Sequence, residues 1–183
     1  MRKVVKTELG SWIISIGCAI ALAYLVKTFI VSFFIVEGVS MEPTLFNNEK
    51  VLVNKVAAWS GSVDHQDIVV IRDDENDRYY VKRIIGLPGE KVKIKDDTLY
   101  INDEQKDEPY LPDKQEEVDL LKINTTGDFE VVKVPEDHYF VMGDNRMDSR
   151  DSRNGLGYIK ESDIVGTGEY VIAPFKNARS IND

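Results

Sequence analysis

Cysteine is almost missing from this chain. Of 183 residues one is cysteine, Cys18, and it lies inside an apolar run, so the rest of the chain has neither a disulfide framework nor a thiol nucleophile. Histidine is nearly as scarce. His65 and His138 stand far apart, without the ligand spacing of a metal site of the usual His/Cys kind. Neither metal nor cofactor is expected. Basic charge is short as well: 23 lysines and arginines face 32 aspartates and glutamates, a formal net charge of −9. The first 36 residues carry +3, from Arg2, Lys3, Lys6 and Lys27 against Glu8, so residues 37–183 carry −12. A surface that acidic repels nucleic-acid phosphates and anionic lipid headgroups alike. Nucleic acid is therefore not expected as a partner, and closeness to a bilayer has to come from apolar contacts. Internal repeats and low-complexity tracts are absent too.

What the chain does have is one long apolar run at 11–36, interrupted by Lys27 alone. A helix needs about 20 apolar residues to cross a bilayer. The span is placed at 12–30, with Trp12 at one interface and Lys27 snorkelling to the other. Arg2, Lys3 and Lys6 precede it, so the positive-inside rule makes 1–11 cytoplasmic and puts 31–183 outside the cell membrane. A cleavable secretory signal competes with this reading, but it calls for a shorter apolar core and a small-x-small cleavage site. Here the core runs on through Phe33, Phe34, Ile35 and Val36 with no such site, so an uncleaved, single-pass anchor is expected. The aromatic tail is read as leaving the helix to lie as an extended edge at the interface.

Roughly 145 residues follow, enough for one domain with a real core and a small insert. Stretches 50–56, 67–72, 79–85, 91–95, 98–102, 129–134, 139–142 and 164–173 are rich in Val, Ile and Tyr and bounded by turn residues. They read as the short strands of a sandwich or barrel. Asp96 and Asp97 mark a tight hairpin. Leu87, Pro88 and Gly89 mark a turn in which Gly86 and Gly89 are expected to supply unusual dihedrals. Residues 103–128 are polar and acidic, with Pro109 and Pro112 and a short helix expected at 113–122, and read as a small inserted subdomain. The fold class is mainly β: an N-terminal transmembrane helix, then an all-β domain carrying that insert.

Two residues stand out chemically. Ser40 follows the apolar run on a turn between Gly38 and Pro43, which fix backbone shape rather than supply packing area. Such a turn can present a hydroxyl at a fixed angle, or it can be a plain linker between anchor and domain. Lys82 shares a strand face with Tyr80 and Ile84, while Arg83 points the other way with Val81 and Ile85. Both faces are otherwise apolar, as in a strand buried on two sides; the alternative is an edge strand with both cations reaching water. A serine hydroxyl needs a base to become a nucleophile. A lysine can be that base if burial lowers its pKa from about 10.4 toward neutrality.

With these two residues and the charged, glycine-rich loop 143–157, the chain resembles the type I signal peptidases of the bacterial serine–lysine kind. The family's motifs fall in order at 38–45, 67–70, 80–89 and 143–146, continuing to 151–153, and span nearly the whole region after the anchor. With a single span and a short insert, the chain resembles the Gram-positive form. The resemblance implies that Ser40 is the nucleophile and Lys82, neutral, the general base. It implies that Ser149 orients the lysine amine, and that Arg83, Asp144, Arg146, Asp151 and Arg153 form an ion-pair scaffold under the site. It makes Val36, Met41, Leu45, Tyr80 and Val81, with Phe34, candidates for pockets that accept small residues at positions −1 and −3 of a cleaved signal peptide. Some members carry a serine where this chain has Gly38, which leaves the second oxyanion donor open. Implied partners are secreted pre-proteins, the lipid bilayer and a nearby secretion translocon. Two rival readings are a catalytically silent signal-peptide binder and a self-processing protease of the same fold.

Overall fold

A long apolar run broken only by Lys27, and the lack of an early proline, favour one long helix. α1 (Arg2–Phe29) contains the apolar stretch Gly10–Phe29, 20 residues that bury nothing against the rest of the protein. At about 1.5 Å per residue this covers about 30 Å, the depth of a bilayer's hydrocarbon core. The structure is a computed structural model that describes residues 2–111 and 126–181. The helix expected at 113–122 lies outside the described residues.

The strands are β1 (Val31–Ile35), β2 (Lys50–Asn54), β3 (Ile68–Asp73), β4 (Arg78–Gly86), β5 (Lys91–Lys95), β6 (Thr98–Ile101), β7 (Glu104–Lys106), β8 (Phe129–Lys133), β9 (His138–Met142), β10 (Ile159–Lys160), β11 (Ile164–Ala173) and β12 (Arg179–Ser180). The expected strands are present, most within a residue or two of their expected ends. The stretch 50–56 is cut short at Asn54, whose side chain accepts the Val56 amide and caps a brief helix, α2 (Lys55–Ser60). Gly61 closes that helix at φ +69°. The apolar tail after the span is extended, as β1, and pairs with β2 from Val31↔Asn54 to Ile35↔Lys50.

One large antiparallel sheet runs in the order β1-β2-β11-β3-β4-β9-β10, with β12 added to β11; a second sheet runs β7-β6-β5-β8. The second sheet begins at β5, so the strands flanking the polar stretch 103–128 belong with it. Asp96 and Asp97 both take positive φ, +50° and +59°, and close the β5–β6 hairpin. Gly89 also has positive φ, +81°. Gly86 is different from expectation: its φ is ordinary, and what requires glycine is space. A Cβ there would stand 2.5 Å from Val92 Cγ2, where the small sheet packs on β4. Three apolar clusters form the core. One lies under the Ser40 turn (Met41, Leu45, Val51, Val70), one between β3, β4 and β9 (Val69, Ile84, Val141), and one between the two sheets (Ile85, Val92, Phe140, Met142).

Candidate active site

The Ser40 turn is tied down at its neck and from behind. Val36 N donates to Glu49 O and Asn48 N to Val36 O, both at 2.8 Å, closing the loop between β1 and β2. Glu49 is buried, and its carboxylate takes the Phe46 amide and both arms of Arg179, which also donates to Thr44 O at 2.6 Å. Burial would raise the Glu49 carboxyl, but Arg179, the Phe46 amide and Asn177 hold it below the usual range. On the other side Asn145 N donates to Ser40 O at 3.1 Å, and Asn145 Nδ2 to Val39 O at 3.2 Å. Gly38 sits at φ +89°, so the backbone, not crowding, calls for glycine there.

β4 brings the amine. Arg78–Lys82 has β3 on one side, but β9 joins the other side from Arg83 onward. Lys82 therefore stands where β4 passes from an open edge into the sheet interior, and only 2% of it is exposed. The edge-strand alternative, with both cations reaching water, does not hold. Lys82 Nζ lies 2.6 Å from Ser40 Oγ. Burial pushes this amine from 10.5 down to about 8, Arg153 adding to the depression and the Asp151 and Asp144 carboxylates opposing it.

Below the pair lies a layer of buried charge. Arg83 meets Asp144 with two parallel bonds of 2.8 and 2.6 Å and also donates to Gln66 O and Thr44 Oγ1. Arg153 meets Asp151 in the same forked way at 2.9 and 2.8 Å. Gly143 N adds a bond to Asp151 Oδ2. Burial alone would raise the Asp151 carboxyl; Arg153 and the Gly143 amide hold it below the usual range. Arg146 reaches Gly143 O, Thr126 Oγ1 and the carboxylate of Glu108. Tyr110 stacks under Arg83, its ring 3.8 Å from the guanidinium carbon, and its hydroxyl lies 3.3 Å from Arg146. All five expected scaffold residues are thus brought together. Ser149 is present too, its Oγ crowded against Gly143, but the hydroxyl bonds to no group among the described residues, Lys82 included.

A cleft of about 660 Å³ opens beside the pair, lined by Phe34, Val36, Met41, Tyr80, Val81 and neighbours. Leu45, expected among them, is a correction: it is fully buried in the core under the turn, because the turn Met41–Leu45 folds it inward. The Ser40 amide donates to no acceptor among the described residues. The Gly38 amide is engaged by Asn47 Oδ1 at 3.0 Å. No group of His, Cys, Asp and Glu among the described residues could hold a metal ion.

The sequence reading missed Glu108 and Tyr110, which lie in a polar stretch without periodicity and acquire their role through contacts with Arg146 and Arg83. It also missed Glu49 and Arg179, separated by 130 positions. Asn145 could have been found, since it stands inside the 143–146 motif.

Three comparisons bear on this arrangement. The family model described as signal peptidase, peptidase S26, matches residues 9–173. The chain is 47% identical over 174 residues to signal peptidase I of Bacillus licheniformis, covering 95% of this chain and 94% of that one. It is 50% identical over 168 residues to signal peptidase I of Bacillus amyloliquefaciens, covering 92% and 87%. A crystal structure of a signal peptidase I from Enterococcus faecalis V583 matches with TM-score 0.48 and 36% identity, over 57% of this chain and 95% of that one.

Proposed function

Because this chain belongs to the signal peptidase family, peptidase S26, we propose that Ser40 and Lys82 are the nucleophile and base with which it removes signal peptides from secreted pre-proteins. One observation carries the assignment: a buried amine, depressed to about 8, in contact with a turn-held hydroxyl at 2.6 Å.

The neutral Lys82 Nζ accepts the Ser40 proton as Oγ attacks the scissile carbonyl. The oxyanion then meets the Ser40 amide, which has no competing acceptor among the described residues. Gly38 N–H is occupied by Asn47, so a second donor comes from elsewhere. The Lys82 ammonium returns its proton to the departing amine, leaving an acyl-enzyme on Ser40. Lys82 then takes a proton from water as its oxygen attacks the acyl carbonyl, and passes that proton to the leaving Ser40 Oγ, which restores the serine and frees the signal peptide. Ser149 Oγ, buried and without a partner among the described residues, is available to receive a hydrogen bond from the amine during these steps. Arg83, Asp144, Arg146, Asp151 and Arg153 hold geometry and do not react.

The substrate lies extended along the open edge of β4, where main-chain groups of 78–82 face the cleft. Val36, Met41, Tyr80 and Val81 shape shallow pockets that admit small residues at −1 and −3. The N-terminus is cytoplasmic, the catalytic domain extracytoplasmic and close to lipid and the translocon; the basic residues before the span support this orientation. The test is incubation of the detergent-solubilised protein with a labelled pre-protein, with Ser40→Ala as control. Cleavage after an Ala-x-Ala sequence, absent in the control, is expected. Binding without cleavage, or cleavage of its own chain alone, would overturn the reading.

A further inference from the structure

The chain passes from membrane helix to catalytic sheet with almost no slack. α1 ends at Phe29 and β1 begins at Val31, so Ile30 alone lies between them. A helix end leaves its last carbonyls without partners inside the helix, and at a membrane boundary such groups are costly to leave unmet. Lys55 meets two carbonyls of this junction. Its Nζ donates to Thr28 O at 2.6 Å, and its backbone N–H donates to Ile30 O at 2.8 Å. An ammonium suits this place, because the C-terminal end of a helix carries partial negative charge. Lys55 itself is well anchored: it follows β2, which pairs with all of β1, and it opens the helix capped by Asn54. The β1–β2 ladder is thus prolonged past the strand end and onto the last turn of the span.

We propose that Lys55 is a positioning residue that clamps the end of the span to the catalytic sheet and so sets a fixed reach from the membrane to Ser40. That reach selects pre-proteins by the length of extended chain between their apolar core and scissile bond. The inference rests on the membrane-held substrate of the preceding section and deepens it.

The geometry gives the length. β1 has five residues, about 17 Å at roughly 3.3–3.4 Å each. Across the cleft β4 follows the same course: the Phe34 and Tyr79 rings lie 5.1 Å apart nearer the span, and Ser40 and Lys82 meet farther along. A substrate entering from the span's end and lying extended between them covers the length of β1 with about five residues, and reaches Ser40, beyond that strand's end, with a few more. A loose tether would tolerate many lengths; a clamped one favours those near this value.

The experiment uses the full chain in phosphatidylcholine vesicles, with two kinds of substrate. One is a short soluble peptide containing the cleavage sequence; the other is a set of pre-proteins in the same vesicles, differing in the length of that extended segment. Lys55→Met is expected to cut the soluble peptide within about twofold of wild type but its best pre-protein about tenfold more slowly, with a flattened length preference. Lys55→Arg, which keeps a cationic donor, is expected to restore the preference. A variant with two glycines inserted after Ile30 keeps Lys55 but adds slack, and should flatten the preference too. An unchanged length preference in Lys55→Met and the glycine insertion overturns the inference while leaving the peptidase reading intact. Equal losses on peptide and pre-protein do the same. A wild-type protein that cuts neither substrate overturns both.

Discussion

Lys82 Nζ has a hydroxyl at 2.6 Å and two carboxylates near enough to pull its pKa upward, yet desolvation outweighs them. Two expectations follow at this scale. The rate should track the neutral fraction of an amine near 8, so kcat/KM rises about tenfold per pH step below that value and levels above it. Initial rates across neutral and alkaline pH check this; a flat profile would contradict it. The stability consequence leans the same way, but over a higher pH window. Above pH 10.5 neither folded nor unfolded chain protonates this lysine. Between 10.5 and about 8 the unfolded chain binds a proton that the folded chain refuses, so stability falls as pH falls. Below about 8 both are protonated and the penalty is constant, roughly 3 kcal/mol at about 1.4 kcal/mol per pH unit. Lys82→Met is therefore expected to abolish cleavage while unfolding at equal or higher denaturant concentration than wild type at neutral pH.

The elements beneath the pair have little room to adjust. Gly143, at the end of β9, passes so close to the Ser40 turn that an added Cβ would stand 2.2 Å from Ser149 Oγ and 2.4 Å from Ser40 O. The second of these is backbone and cannot swing aside. Gly143→Ala should lower kcat/KM by about a hundredfold or more through misplacement of Ser40, with a lower Tm measured alongside. The segment after β7 acts on the same layer from the other side. Glu108 and Arg146 are both nearly fully buried, and Tyr110 lies between Arg146 and Arg83. Glu108→Gln keeps the shape but leaves a buried guanidinium without its counter-charge. It should destabilise by about 3–5 kcal/mol, read from denaturant unfolding.

At the scale of the whole molecule, −12 charges sit on the part that follows the first 36 residues, so acid conditions test the fold. The carboxyls of Glu49 and Asp151 are held below their ordinary values by Arg179 and Arg153 despite burial. Their stabilisation is present above the unfolded carboxylate range of about 4 and is lost as pH falls through the depressed folded values. Asp67 works the other way, since burial raises its carboxyl and protonation relieves that strain. Two buried pairs against one half-buried acid leave a net loss. Tm followed by circular dichroism should hold steady from neutrality to about pH 5 and drop below about 4.

The membrane helix and most strands were legible because each depends on local composition. An apolar run of this length is long enough to span a bilayer whatever surrounds it, and β-branched stretches between turns extend whatever they pair with. The order of motifs was enough to single out Ser40, Lys82 and the charged residues that the fold brings together beneath them. Three matters were decided by tertiary structure. Whether Lys82 faced water or the interior depended on where β9 begins to pair with β4, a fact held in residues 60 positions away. Leu45 went to the core because the turn folded it inward, and Glu108 and Tyr110 joined the site through contacts some 36 to 38 positions away with no period to announce them. Desolvation is a property of everything packed around an atom, so the lowered Lys82 amine exists only once distant segments have closed over it.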